Sequence, residues 1–85
     1  SAREGISRAK TVVEAMPRAR ITEERADYLA AEFRSSTFGF VDDVEFLADE
    51  SEGLLHIRSA SRLGYSDMGA NRQRVEEIRR RYNDM

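Results

Sequence analysis

Cysteine and tryptophan are absent from the 85 residues, and histidine and proline occur once each, as His56 and Pro17. Without cysteine there is no disulfide framework, no thiolate nucleophile and no cysteine-type zinc site. A single histidine excludes a His-rich metal site and leaves His56 as the only residue on which a catalytic triad within one chain could be built. Long apolar runs are missing too. Nothing approaches the ~18 residues of a membrane span, and there is no signal-peptide h-region, so the chain reads as soluble with no compartment assigned. Fourteen Lys+Arg stand against sixteen Asp+Glu, a formal net charge of −2. A general nucleic-acid binder would carry a basic excess, so nucleic acid is not expected as a partner. What is present is 40% hydrophobic and 35% charged, too apolar for a disordered acidic tail. The length suits one small domain over residues 1–85.

Hydrophobic periodicity divides the chain into six elements. Ile6, Ala9, Val13 and Met16 form one apolar stripe, which predicts a helix ended by Pro17. The period then changes to two. Arg18–Thr22 reads as a short strand, with a polar turn at Glu23–Arg25. Three longer alternating runs follow at Asp27–Ser35, Phe40–Leu47 and Leu54–Ser61, linked by turn-rich segments at 36–39 and 49–53. A last helix is predicted from Asp67 to Asn83, capped by Ser66 or Asp67, with Met68, Asn71, Val75, Ile78 and Tyr82 on its stripe. The expected fold class is therefore α+β: a two-layer α-β-β-β-β-α domain with a four-stranded, mainly antiparallel sheet and two helices on one face. About a dozen apolar side chains can fill such a core, which gives marginal stability unless a partner or further chain covers more surface.

Chemistry-bearing residues concentrate at one end of this sheet. Arg34 closes one strand, Asp42 and Asp43 open the next, and Arg58 sits late in the one after. By parity Arg34, Asp43 and Arg58 face outward with Glu32, Glu45 and His56. They read either as a solvated cross-strand charge ladder or as a bidentate arginine site for a carboxylate or phosphate. Asp42 shares parity with Val44 and Phe46 and points inward, so it requires partners: Ser35, Ser59, Ser61, backbone N–H groups, or an arginine or Asn71 from the last helix. The segment Arg58-Ser-Ala-Ser-Arg62-Leu-Gly-Tyr-Ser-Asp67-Met-Gly-Ala-Asn71-Arg72 leads from a strand end into a helix N-terminus. Such a place can hold an anion, with Arg62 and Arg72 adding charge, or can be a cap and polar staple in which Asn71 bonds strand-end backbone. No base is placed to activate Ser59 or Ser61. His56 is expected to be exposed or salt-bridged, and Phe38 and Phe40 to fold back over the sheet end.

The runs Glu32-Phe33-Arg34-Ser35, Thr37-Phe38-Gly39-Phe40-Val41-Asp42-Asp43-Val44-Glu45-Phe46 and Arg58 to Val75 resemble the DUF1499 family, bacterial and plastid proteins with no established activity. The resemblance covers nearly the whole chain. It implies that Arg34, Ser35, Asp42, Asp43, Arg58, Ser59, Ser61, Arg62, Gly64, Ser66, Asp67, Gly69, Asn71 and Arg72 are signature positions. Members commonly carry an additional N-terminal segment with an Asn-Cys-Val-Ser-type motif, and some are membrane-attached. The resemblance thus implies a fragment, with Ser1 and Ala2 read as additions to the natural chain.

The leading functional reading is a non-enzymatic binding or interaction module without a cofactor or metal. Its ligand-binding candidates are Arg34, Asp42, Asp43, Arg58, Ser59, Ser61, Arg62, Asp67, Asn71 and Arg72, and its expected partner is an anionic small molecule or a protein carboxylate. One alternative is a small hydrolase or isomerase using Asp42 or Asp43 as base with arginines as electrophiles. The other is a purely structural cluster, with function elsewhere.

Overall fold

Ser1 begins the first helix by accepting a hydrogen bond from the Glu4 backbone N–H (3.3 Å) in the computed structural model, which describes residues 1–35, 39–62 and 68–85. Ser1 and Glu4 have capping-box spacing, so α1 spans Ala2–Glu14 rather than starting at Ile6. It also stops before Met16, because Pro17 disfavours helical backbone at the residue ahead of it. Arg18 then turns the chain with a positive φ of 59°.

Four strands follow: β1 (Ala19–Arg25), β2 (Tyr28–Arg34), β3 (Val41–Asp49) and β4 (Leu54–Ser61), before α2 (Met68–Asn83). The sheet order is β1-β2-β3-β4 and all three pairings are antiparallel. The domain is α+β, with the expected element order. Glu23–Arg25 is not a turn, contrary to the sequence expectation. The register shifts between Ile21 and Glu23, and β1 pairs with β2 as far as Arg25 opposite Tyr28. The extra residue of this bulge breaks strict alternation, which is why a period-two reading ends the strand too early. After the bulge Glu24 ion-pairs with Lys10 of α1 at 2.9 Å.

Alternation also sets the layers. Leu29, Ala31 and Phe33 of β2 and Val44, Phe46 and Ala48 of β3 are buried on one face, beneath Ile6, Ala9, Val12 and Val13 of α1 and Ile78 of α2. The helices lie on this same face, α1 across the strands and α2 against β4 and α1. They approach closely at Gly5, where a Cβ would stand 2.7 Å from the Tyr82 hydroxyl. Arg8 completes the helix contact, donating to the Tyr82 carbonyl at 2.6 Å and stacking over its ring. At the end of α2, Arg80 and Arg81 both donate to Glu77, whose carboxyl is pulled down to about 2 by these bonds. Among the described residues no helix is long and apolar enough to cross a membrane.

Candidate functional site

Neighbours along a strand face opposite ways, and the register turns this rule into geometry at the sheet end. Phe33, Asp42 and Ser61 lie on one rung, and Glu32, Asp43 and Ala60 on the next. Asp42 thus falls on the helix-covered face and Asp43 on the open face. The predicted cluster is divided by the sheet into two networks.

On the covered face Asp42 meets Arg74 of α2 at 2.8 Å, with side chains only 15% and 17% exposed. The same Arg74 Nη1 donates to Ser59 Oγ (3.2 Å) and to Asn71 Oδ1 (3.0 Å), while its guanidinium lies 5.1 Å from the centre of the Phe33 ring. Ser59 donates to Asn71 Oδ1 at 2.6 Å, and Asn71 Nδ2 donates to Ser61 Oγ at 3.1 Å. Among the described residues no buried side-chain nitrogen or oxygen lacks a partner. A carboxylate, a guanidinium, two hydroxyls and an amide therefore close on one another and bolt α2 to β3 and β4. Unlike a half-made network, this one leaves the desolvated groups bonded.

The open face carries the second network. Arg62, just beyond β4, grips Asp43 through Nε (3.1 Å) and Nη2 (2.5 Å), and reaches Glu32 at 2.7 Å. Glu32 also pairs with Arg20 at 3.0 Å. Hydrogen bonds donated by Arg62 and Arg20 hold the Glu32 carboxyl below its ordinary range, and donating to Asp43 and Glu32 holds Arg62 firmly charged. The Arg62 and Asp43 side chains stay 45% and 43% exposed, so solvent screens their pairing.

Other candidates take separate places. Arg58 is not grouped with Asp43: it lies opposite Glu45, whose carboxylate is 3.5 Å away, while Ala60 stands opposite Asp43 and Arg62 reaches that carboxylate diagonally from just beyond β4. Glu45 also accepts from the Tyr28 hydroxyl at 2.6 Å. Arg34 and Arg72 are exposed, and neither ion-pairs with a described carboxylate. Asn71 anchors through the hydroxyls of Ser59 and Ser61. Ser35 Oγ accepts from the Phe40 N–H at 3.1 Å. Phe40 does not fold back over the sheet; it is 51% exposed. His56 is exposed and 3.8 Å from Asp49, as anticipated. Asp67, Ser66, Gly64 and Phe38 lie outside the described residues.

Two arginines absent from the sequence-derived site matter. Arg74 follows Asn71 by three positions, so it shares the stripe that runs on to Ile78, whereas Arg72 is rotated away from it. That spacing was a usable signal. Arg18 sits beside Arg34: the Arg34 N–H donates to the Arg18 carbonyl (3.0 Å) and Arg18 Nε to the Arg34 carbonyl (3.2 Å). Among the described residues at this end of the sheet, Arg18, Arg20, Arg34, Arg62 and Arg74 thus stand against Glu32, Asp42 and Asp43, a local positive excess in a chain of net charge −2.

The family described as protein of unknown function (DUF1499) matches residues 1–81, and the chain belongs to it. No curated protein and no solved structure matches the chain.

Proposed function

We propose that this DUF1499 chain is a non-enzymatic binding module whose arginine-rich sheet end receives an anionic group, either a small molecule or a partner carboxylate. The observation that carries this reading is the charge imbalance there: Arg34 and Arg18 have no described carboxylate to neutralise them, while Arg62 is oriented by two. Preorganised guanidinium groups bind carboxylate and phosphate oxygens through directed, charge-assisted bonds. Arg62 with its carboxylates forms the floor, Arg34 and Arg18 supply uncompensated charge, and Arg72 and Asp67 belong to the proposed site as further members. Asp42, Ser59, Ser61 and Asn71 serve it from behind by fixing the strand ends to α2. Catalysis by Asp42 or Asp43 is supported less, because an arginine already engages each carboxylate.

The test is a thermal-shift series with phosphate, sulfate and dicarboxylates. An anion present at 100 times its dissociation constant stabilises the folded state by about 2.7 kcal/mol. The reading requires a shift that is lost in Arg34→Ala and in Arg62→Ala. Absence of a shift with every anion, or a shift indifferent to both substitutions, overturns it.

A further inference from the structure

The two edges of the sheet differ. β1 is protected in the usual ways: it carries a bulge after Ile21, and three of its last residues are the charged Glu23, Glu24 and Arg25. β4 has no bulge and only one residue of unconditional charge, Arg58. Its eight residues, Leu54–Ser61, pair with β3 without a register shift, and no described strand lies on its other side.

The orientation of the free groups follows from one bond. The Arg62 N–H donates to the Val41 carbonyl at 3.1 Å, which continues the β3–β4 register. Hydrogen-bonded and non-bonded pairs alternate in an antiparallel ladder. Ala60, Arg58 and His56 therefore turn their backbone groups toward β3, and Ser59, Ile57 and Leu55 turn theirs to the open edge. Those same three residues place their side chains on the helix-covered face, where Leu55 and Ile57 pack partly buried against the core. On the other face Arg58 is 75% exposed, its nearest carboxylate 3.5 Å away, and His56 stands beside it.

We infer that the β4 edge accepts an extended acidic segment of a partner protein as a fifth, antiparallel strand. Main-chain bonds to Leu55, Ile57 and Ser59 supply affinity, and alternate side chains supply specificity. Apolar residues of the incoming strand extend the half-buried row of Leu55 and Ile57, and carboxylates on its other face meet Arg58 and His56. A second copy of the chain is disfavoured in the register centred on Arg58, which sets two arginines opposite each other; like charges across a sheet are unfavourable. This inference does not depend on the anion reading, which concerns the sheet end and not the backbone of β4.

The probe is a synthetic nine-residue peptide alternating valine and glutamate, with a valine–lysine peptide as control. Binding is followed by fluorescence anisotropy, and amide hydrogen exchange locates it. The valine–glutamate peptide is expected to slow exchange at Leu55, Ile57 and Ser59, and Arg58→Glu to weaken it about tenfold and to favour the lysine peptide instead. Because Arg58 is an exposed side chain, that variant leaves the fold in place, as its exchange pattern without peptide verifies. Absence of binding, protection at β1 instead of β4, equal binding of both peptides, or concentration-dependent protection of β4 without peptide each overturns the inference.

Discussion

Asp42 and Asp43 are neighbours in the chain, each paired to an arginine, yet their surroundings differ because the strand turns them to opposite faces. The Asp42–Arg74 pair lies under α2, about one-sixth exposed, inside a network with Ser59, Ser61 and Asn71. The Asp43–Arg62 pair is nearly half exposed on the open face. The first joins two layers, and removing one partner strands a desolvated charge. The second lies in water, where Coulomb attraction is weak and salt-screened. Carboxylate–arginine contacts of similar length thus fix the architecture on one face and leave charge available on the other.

The largest effect is expected from Asp42→Ala. It leaves the mostly buried Arg74 without its carboxylate and should cost about 3 kcal/mol, the lower end for a broken buried pair because some water reaches this one. Denaturant unfolding measures it, and a loss comparable to that of a surface substitution would show that the network does not bolt α2 to the sheet. Replacing both partners, Asp42→Leu with Arg74→Met, should recover most of that loss, because no unpaired charge remains. A double variant as weak as Asp42→Ala would mean that the serines and Asn71 depend on the guanidinium itself.

On the open face Tyr28 offers a titration test. Its hydroxyl donates to Glu45, and this bond pushes its pKa from 10.0 up to about 12. A pKa raised by folding adds stability that is complete below the unfolded value and disappears as pH rises through the folded one. Stability should therefore fall between about pH 10 and pH 12, and Tyr28→Phe should flatten that limb when chemical unfolding is followed across it. The smallest change is expected from Asp43→Ala: the melting temperature should barely move, and the residual difference should vanish in 1 M salt. A substantial, salt-insensitive loss would erase the contrast between the two faces.

Much of this was legible in the chain. Alternation around Leu29, Phe33, Val44 and Phe46 located the strands, and parity alone put Asp42 inside and Asp43 outside, because side-chain direction along a strand is a local property. The stripe Asn71, Val75, Ile78 did the same for α2. Pairings between elements were less accessible. Arg58 looked like Asp43's neighbour until the β3–β4 register put Glu45 opposite it, and Arg62 reached Asp43 from beyond the strand end. The bulge after Ile21 left no mark in a period-two pattern except an apparent end to the strand.

The sequence by itself determined the element order, the buried face and the requirement that Asp42 find polar partners, since each follows from local periodicity and from the cost of burying a charge. Only the tertiary structure decided that Asp42 pairs with Arg74 above Ser59, that Arg62 bridges Asp43 and Glu32, and that Arg18 lies beside Arg34. Those choices depend on the rotation of α2 against the sheet and on strand register. Both are set by packing between segments far apart in the chain, which local periodicity does not encode.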